Sequence, residues 1–301
     1  MTMQNKILKN LTTEQENKNS LNIDKANSLE IVEIINNEDA KIAKAIKSQS
    51  KQIAKAIDII VQTIQNKGRL VYIGSGTSGR LGVLDASEML PTFHVGSETV
   101  LGIIAGGQKA LTTPVEAAED DADQSIKDLQ EINFSKKDIL VGISASGRTP
   151  YVVSALKYAK SLGAKTVSLS TSFHAEISQL VDFPIEPVTG PEVVAGSTRM
   201  KSGTCQKMVL NMLSTGTMIR LGKVYHNLMI DVMATNEKLI ERSHQIVSRI
   251  TKAPDNVVDL ALKKSHNNVK QSCVMILKNV NLSKAKELLK NANDILANVI
   301  N

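Results

Sequence analysis

The chain has 301 residues, 42% hydrophobic and 22% charged, a composition typical of a globular protein with at least one large core. Aromatic residues make up 3% and Trp is absent, which disfavours a base-stacking nucleic-acid surface, and the net charge of +6 is dispersed as on an ordinary solvated surface. The N-terminal segment lacks an apolar stretch, and no apolar run reaches the roughly 18 residues of a membrane span. We therefore expect a cytoplasmic protein without a membrane or nucleic-acid partner.

The cysteines and histidines predict neither a disulfide nor a metal centre. Cys205 and Cys273 are isolated thiols in segments with a helical pattern, as is usual in a reducing compartment. None of the five histidines is spaced from another histidine, a cysteine or a carboxylate in a recognisable metal-binding motif. We expect no metal and no other cofactor.

The N-terminal part of the chain predicts an arm followed by helices. Residues 1–28 are polar and loop-like, whereas residues 29–66 carry isoleucines at the spacing of one helical face. The pair Asn36-Asn37 predicts a break between two helices. We assign residues 1–60 to an N-terminal arm and helices that pack on the main body.

From residue 69 onward, short apolar runs alternate with helix-length segments. Consecutive apolar positions are typical of parallel strands buried on both faces, and helices between them indicate βαβ units. The predicted strands cover residues 70–73, 100–105, 139–144, 166–170 and 183–188. The pattern predicts an α/β fold, a three-layer parallel sheet flanked by helices, in a domain of residues 61–240.

Three later segments complete the expected organisation. Thr113-Pro-Val-Glu116 predicts a helix start with a capping box, which leaves Glu119 on an acidic helical face. Residues 197–221 predict a loop and then a long helix. Residues 255–265, 269–280 and 283–300 predict short amphipathic helices, which we assign to a C-terminal helical subdomain of residues 251–301.

Two Ser/Gly turns follow predicted strands, in IGSGTSGR (73–80) and ISASGRTP (143–150). Gly74, Gly76 and Gly79 fit the dinucleotide fingerprint, but no acidic residue ends the next strand to bind a ribose, and no Walker A lysine follows. The glycine match is therefore interpreted as coincidental.

The hydroxyl groups of the two turns are more informative than the glycines. Hydroxyls, loop N–H groups and a helix N-terminus together form a cradle for a phosphate group. The candidate binding residues are Ser75, Gly76, Thr77, Ser78, Ser144, Ser146, Gly147 and Thr149. The alternative is that serine and glycine simply favour turns. Two such turns at strand ends, where open α/β sheets bind ligands, favour the binding interpretation.

At this point the sequence resembles a known family. The segment ISASGRT beside an upstream GTSG resembles the sugar isomerase (SIS) phosphosugar-binding domain. Longer stretches over nearly the whole chain resemble the N-acetylmuramic acid 6-phosphate etherase family; they are GTSGRLGVLDASEMLPTF (76–93), IIAGG (103–107), VEAAEDD (115–121), SASGRTPYV (144–152), GPEVVAGSTRMKSGT (190–204) and KMVLNMLSTGTMIRLGKVYHNLMIDVMATNEKL (207–239). The stretch 190–204 is also similar to the glucokinase regulatory protein, a non-catalytic relative.

The resemblance implies cleavage of the D-lactyl ether of N-acetylmuramic acid 6-phosphate by a homodimer, in the catabolism of bacterial cell-wall sugar. It implies that Glu88 is the proton donor and that Glu119 is the second catalytic glutamate, which we assign as the base at C2. By position alone, Glu88 also fits an exposed helix end, and Glu119 fits a solvated acidic face.

The loop that opens the long helix is a further candidate for substrate binding. Ser197 and Lys201 can reach the sugar or its lactyl carboxylate, or the loop can serve only to cap the helix. Two alternative functions remain at this level, a phosphosugar-sensing regulator without turnover and an aldose–ketose isomerase. The presence of both Glu88 and Glu119 favours the etherase.

Overall fold

The computed structural model describes residues 12–231 and 237–301. Residues 1–11 of the predicted arm and residues 232–236 of the etherase-like stretch 207–239 lie outside the described residues. The strands are β1 (Leu70–Gly74), β2 (Val100–Ile104), β3 (Ile139–Ile143), β4 (Lys165–Leu169), β5 (Phe183–Ile185), β6 (Val224–Tyr225) and β7 (Leu228–Met229).

The helices surround and follow these strands. They are α1 (Ser28–Asp39), α2 (Ile42–Ser48), α3 (Ser50–Gln65), α4 (Gly76–Ser87), α5 (Met89–Phe93), α6 (Lys109–Thr112), α7 (Ala122–Glu131), α8 (Pro150–Ser161), α9 (Glu176–Leu180), α10 (Lys201–Arg220), α11 (Glu237–Thr251), α12 (Asp255–Lys264), α13 (Val269–Leu277), α14 (Leu282–Asn291) and α15 (Ala297–Ile300). In the described parts of the chain, no helix is long and apolar enough to cross a membrane.

Among the described residues, β1–β5 form one parallel sheet in the order β2-β1-β3-β4-β5. Every residue of β1 and β3 is buried, so helices cover both faces of the sheet, as they do in parallel α/β folds. The predicted α/β class and its layered parallel sheet are confirmed. The order reverses between β1 and β3, which makes this pair the switch point where open sheets bind ligands.

By compactness, the described chain divides into two units. The first contains the described part of Met1–Ser87 together with Ser97–Ser214, and its core includes Leu140 of β3 and Leu156 of α8. The second contains Glu88–Gly96 and Thr215–Asn301, and its core includes Val247 of α11 and Cys273 of α13. The division predicted from sequence, 1–60, 61–240 and 251–301, stays a prediction.

Two helix boundaries in the first half of the chain differ from the prediction. Helix α1 passes through Asn36-Asn37 and ends at Asp39, because interior asparagine costs little and the helix is well capped. At its start, Asn27 and Glu30 form a capping box. The predicted break therefore falls after residue 39.

The helix predicted to start at Thr113 is also wrong. Residues 113–121 are irregular, and Ala117 has a φ of +59°, which ordinary helical backbone excludes. Helix α7 starts instead at Ala122, where Asp121 caps it by accepting from Gln124 N at 2.9 Å. The capping box at Glu116 does not form, and Glu119 does not lie on a helical face.

The C-terminal segment 283–300, predicted as one helix, contains α14 and α15. The break follows from Asn293 and Asp294, which both have positive φ. Asparagine and aspartate tolerate this conformation better than other side chains do, so the chain turns at this pair. Helices α12 and α13 agree in position with the two predicted before them.

Candidate functional site

The two hydroxyl-rich turns lie side by side at the switch point of the sheet. Gly74 is the last residue of β1 and Ile143 is the last residue of β3, and the two are paired in register. Each strand runs directly into its turn, and each turn runs into a helix, α4 after the first and α8 after the second. The structure thus brings together both predicted turns and the N-termini of two helices, which attract anions.

The glycines of the first turn have a packing role. A Cβ on Gly74 would lie 2.8 Å from Gly79 N, and a Cβ on Gly79 would lie 2.6 Å from Gly74 O. Gly76 has a φ of +50°. The strand and helix therefore approach more closely than side chains permit. This match to the dinucleotide fingerprint is not a coincidence, because the close approach of strand and helix is one of the reasons that the fingerprint requires glycine.

The second turn is held by its own hydrogen bonds. Ser144 is buried, its Oγ accepts from Gly147 N at 3.0 Å, and it lies 2.9 Å from Thr149 Oγ1. Ser146 is half-buried, and its Oγ accepts from Arg148 N at 3.3 Å. Ser144 therefore shapes the turn, whereas Ser146 is the more accessible hydroxyl.

The hydroxyls of the first turn divide in the same way. Ser78 is buried and donates to Gln206 Oε1 of α10 at 3.0 Å, so it ties the turn to that helix. Ser75 and Thr77 are half-buried and Gly76 is exposed. These three positions are the accessible part of the first turn.

The N-terminus of α10 is occupied by a protein carboxylate. Glu192 is fully buried and accepts from Lys201 N and Ser202 N, each at 2.9 Å. A carboxylate at this position satisfies free N–H groups and interacts favourably with the helix dipole. The helix N-termini at the two hydroxyl-rich turns are those of α4 and α8.

Lys201 is bound within the protein. Its side chain is 1% exposed, and its Nζ donates to Glu38 Oε2 at 2.6 Å. Burial alone would raise the pKa of Glu38, but hydrogen bonds from Lys201, Lys41 and Asn19 outweigh it and hold the pKa well below its usual range. The ammonium group of Lys201 is thus paired with Glu38. Contacts of Lys201 and of the half-buried Ser197 with a ligand stay predictions.

Glu119 lies beside the second turn. Its backbone carbonyl accepts from Tyr151 N at 3.0 Å, at the second residue of α8, and its side chain is exposed. The irregular segment that replaces the predicted helix makes this contact. Glu88 belongs to the second unit, where it is exposed immediately before α5.

A buried polar cluster that sequence reasoning missed ties α4 to α10. Asp85 is 4% exposed, and its Oδ1 accepts from Asn211 Nδ2 at 2.7 Å and from Ser214 Oγ at 3.1 Å. Burial raises the pKa of Asp85, although these hydrogen bonds act in the opposite direction. The available signal was a carboxylate in the middle of an otherwise largely apolar helical stretch.

Comparison with known proteins agrees with this architecture. The sequence profile of the SIS domain matches residues 109–216, and that of the glucokinase regulatory protein N-terminal SIS domain matches residues 52–160. A solved structure described as a putative phosphosugar isomerase involved in capsule formation from Bacteroides fragilis has the same fold, with a TM-score of 0.50 and 22% identity over 65% of this chain and 94% of that chain. Fold and sequence together define a SIS-domain protein.

The full-length relatives are more specific. N-acetylmuramic acid 6-phosphate etherase of Actinobacillus pleuropneumoniae is 53% identical over 94% of this chain and 93% of its own. The protein of the same name from Lactobacillus johnsonii is 49% identical over 98% of this chain and 99% of its own. The chain belongs to the N-acetylmuramic acid 6-phosphate etherase family, a family of carbon–oxygen lyases.

Proposed function

We propose that this chain cleaves the D-lactyl ether of N-acetylmuramic acid 6-phosphate and releases N-acetylglucosamine 6-phosphate and D-lactate. The observation that carries the proposal is identity of about half of all positions, over nearly the whole chain, with relatives that bear this name. The proposed role is amino-sugar catabolism in the recycling of peptidoglycan, by a cytoplasmic homodimer. The regulator and isomerase alternatives are not favoured, because those relatives are named as etherases.

The phosphate of the substrate is proposed to bind where the two turns meet. The N-termini of α4 and α8 supply N–H groups and helix dipoles, and accessible hydroxyls complete the donors. Ser75, Thr77, Ser146 and Thr149 are the half-buried hydroxyl residues proposed for direct contact, and Thr149 Oγ1 also lies 2.9 Å from Ser144 Oγ. Ser78 and Ser144 are buried and hold the two turns in shape. Ser78 bonds to Gln206, and Ser144 bonds to Thr149.

The chemistry follows from the open-chain form of the sugar. The aldehyde at C1 makes the hydrogen on C2 acidic, so a base removes it and forms an enolate. The enolate expels the C3 oxygen, which leaves as the hydroxyl of lactate when an acid protonates it. Water then adds at C3 of the unsaturated aldehyde, and C2 takes up a proton again. The route needs one base and one acid, and two carboxyl groups can fill these roles when their pKa values differ.

We assign these roles to Glu119 as the base at C2 and to Glu88 as the acid at the C3 oxygen. The position of Glu119 supports its assignment, because its backbone is hydrogen-bonded at the start of α8, beside the proposed phosphate turn. Glu88 is exposed and follows the last residue of α4, the helix that begins at the first turn. Both side chains are exposed to solvent.

The test measures D-lactate release together with deuterium uptake from solvent at C2. We expect Glu88→Gln to lower lactate release by about 10²–10⁴-fold, the usual effect of losing a general acid, while exchange at C2 continues. Glu119→Gln should abolish both. The matched control is Glu116→Gln, an exposed neighbour that should keep both activities.

Three results would contradict parts of the proposal. Binding of the phosphosugar without lactate release by the unaltered protein would indicate the regulator. A ketose product would indicate the isomerase. Near-normal lactate release by Glu88→Gln would show that the acid is another residue.

A further inference from the structure

The N-terminal arm is hydrogen-bonded to the loop that precedes α10. From here on, "the arm" means residues 12–25, which belong to the described part of the predicted N-terminal arm, and "the α10 loop" means residues 190–200. Among the described residues, three hydrogen bonds join the arm to the α10 loop. Gly196 N donates to Thr13 O at 3.0 Å. Ser20 Oγ donates to Val193 O at 2.7 Å, and Asn17 Nδ2 donates to Pro191 O at 3.1 Å. Ser20 and Asn17 are buried although they are polar, and the bond from Ser20 is shielded from water.

A buried ion pair connects the same two parts of the chain. Glu38, in α1 just after the arm, binds Lys201 at the start of α10, and side-chain exposures are 3% and 1%. Asn19 of the arm donates to the other carboxylate oxygen of Glu38 at 2.8 Å, and Lys41 binds there too. Burying two charges is costly, so a buried pair is weak evidence for stability and a better indication of a specific geometry.

The geometry that this pair holds is the start of α10. Lys201 is bound at both ends, since its side chain meets Glu38 and its backbone N–H meets Glu192. Two residues further, Gly203 approaches the first turn so closely that a Cβ there would lie 3.2 Å from Thr77 Cγ2. A displacement of Lys201 would therefore be transmitted to the first turn.

We propose that Glu38 is a positioning residue, which acts through Lys201 to hold the α10 loop and the first turn in the arrangement that binds the phosphorylated substrate. Lys201 is then part of the same device and is not itself a substrate ligand. This inference rests on the phosphosugar site proposed above. It assigns to the arm and α1 a role in substrate affinity that lies outside the turns themselves.

The test compares Glu38→Gln, Lys201→Met and the double variant by KM and kcat for lactate release. We expect each single variant to raise KM about tenfold, equivalent to about 1.4 kcal/mol, with a smaller change in kcat. The double variant should be no more impaired than either single variant, because the two residues act through one shared contact. The matched control is Lys270→Met in the second unit, where the buried lysine binds Asp231 Oδ2 at 2.8 Å and the exposed Asp294 Oδ2 at 2.6 Å; this variant should lower Tm without raising KM.

The outcomes separate the possibilities. If the double variant is as impaired as Lys201→Met and Glu38→Gln is normal, Lys201 contacts the substrate and the inference is wrong. If all variants lower Tm and leave KM unchanged, the pair is only structural and the inference is also wrong. If the charge variants do not fold, Ser20→Ala decides, since it removes one arm–loop hydrogen bond and should still raise KM; an unchanged KM contradicts the role of the arm. Absence of lactate release by the unaltered protein would instead refute the proposed function.

Discussion

At the scale of the residue, neighbouring side chains of one turn have different physical roles. Ser144 is buried and satisfies Gly147 N and Thr149 Oγ1, whereas Ser146 is half-buried beside it. Both are serines of the segment ISASGRTP, and nothing in that segment separates them. The difference comes from the depth of each hydroxyl below the surface, which only the folded chain sets.

This difference gives a residue-scale prediction. Ser146→Ala should raise KM for the phosphorylated sugar and change stability little, because the lost hydroxyl is accessible. Ser144→Ala should lower the unfolding free energy by about 0.5–1.5 kcal/mol, the net value of one hydrogen bond, because Gly147 N–H keeps only the Ser144 carbonyl as its acceptor. Steady-state kinetics and urea unfolding measure the two effects. An unchanged KM for Ser146→Ala would count against its contact with the phosphate.

At the scale of the element, the start of α7 shows how tertiary contacts select among local signals. The sequence pattern predicted a helix start at Thr113, whereas the helix begins at Ala122 with Asp121 as its cap. The predicted start is unused because residues 113–121 run irregularly, with Val115 packed against Gly106 and the Glu119 carbonyl bonded to Tyr151 N. These contacts belong to the irregular segment, and the helix starts only after Asp121.

The observed cap at Asp121 and the predicted capping box at Glu116 can be compared by mutation. Asp121→Ala should destabilise the protein by about 1 kcal/mol, the usual cost of removing a helix cap. Glu116→Ala is the control and should have almost no effect, because the predicted capping box does not exist. Thermal or denaturant unfolding of the two variants measures this. Equal destabilisation by both would contradict the observed helix boundary.

At the scale of the whole molecule, the reactivity of the two buried cysteines shows whether each unit is folded. Cys205 lies in the first unit and Cys273 in the second, and both are fully buried. Burial raises the pKa of each thiol to about 12, since the thiolate is poorly solvated in an apolar core. Their reactivity therefore measures opening of the structure.

At a pH of about 8.5, the ordinary pKa of a thiol, we expect neither thiol of the native protein to react with a disulfide reagent. In denaturant, we expect both thiols to react. Mass spectrometry of the labelled peptides identifies which thiol has reacted. Glutathione under the same conditions is the reference for an exposed thiol. Labelling of the native protein as fast as glutathione would contradict the burial of these residues.

What the sequence determined by itself is local and periodic. Continuous apolar runs such as 70–73 and 139–144 predicted β1 and β3 closely, because strands buried on both faces need apolar side chains at consecutive positions. The Ser/Gly turns and the two glutamates were also visible, because turn residues and charged residues stand out between such runs. The family resemblance rests on these same stretches.

The tertiary structure decided everything that depends on burial and on partners far apart in the chain. The sequence pattern made Lys201 a candidate ligand, yet its ammonium group pairs with Glu38, 163 positions earlier. The sequence pattern predicted Glu119 on a helix, yet the residue lies in an irregular segment and its carbonyl contacts α8. A sequence pattern states what each residue can do locally, whereas the free energy of a buried charge or an unpaired N–H depends on which groups the fold brings to it.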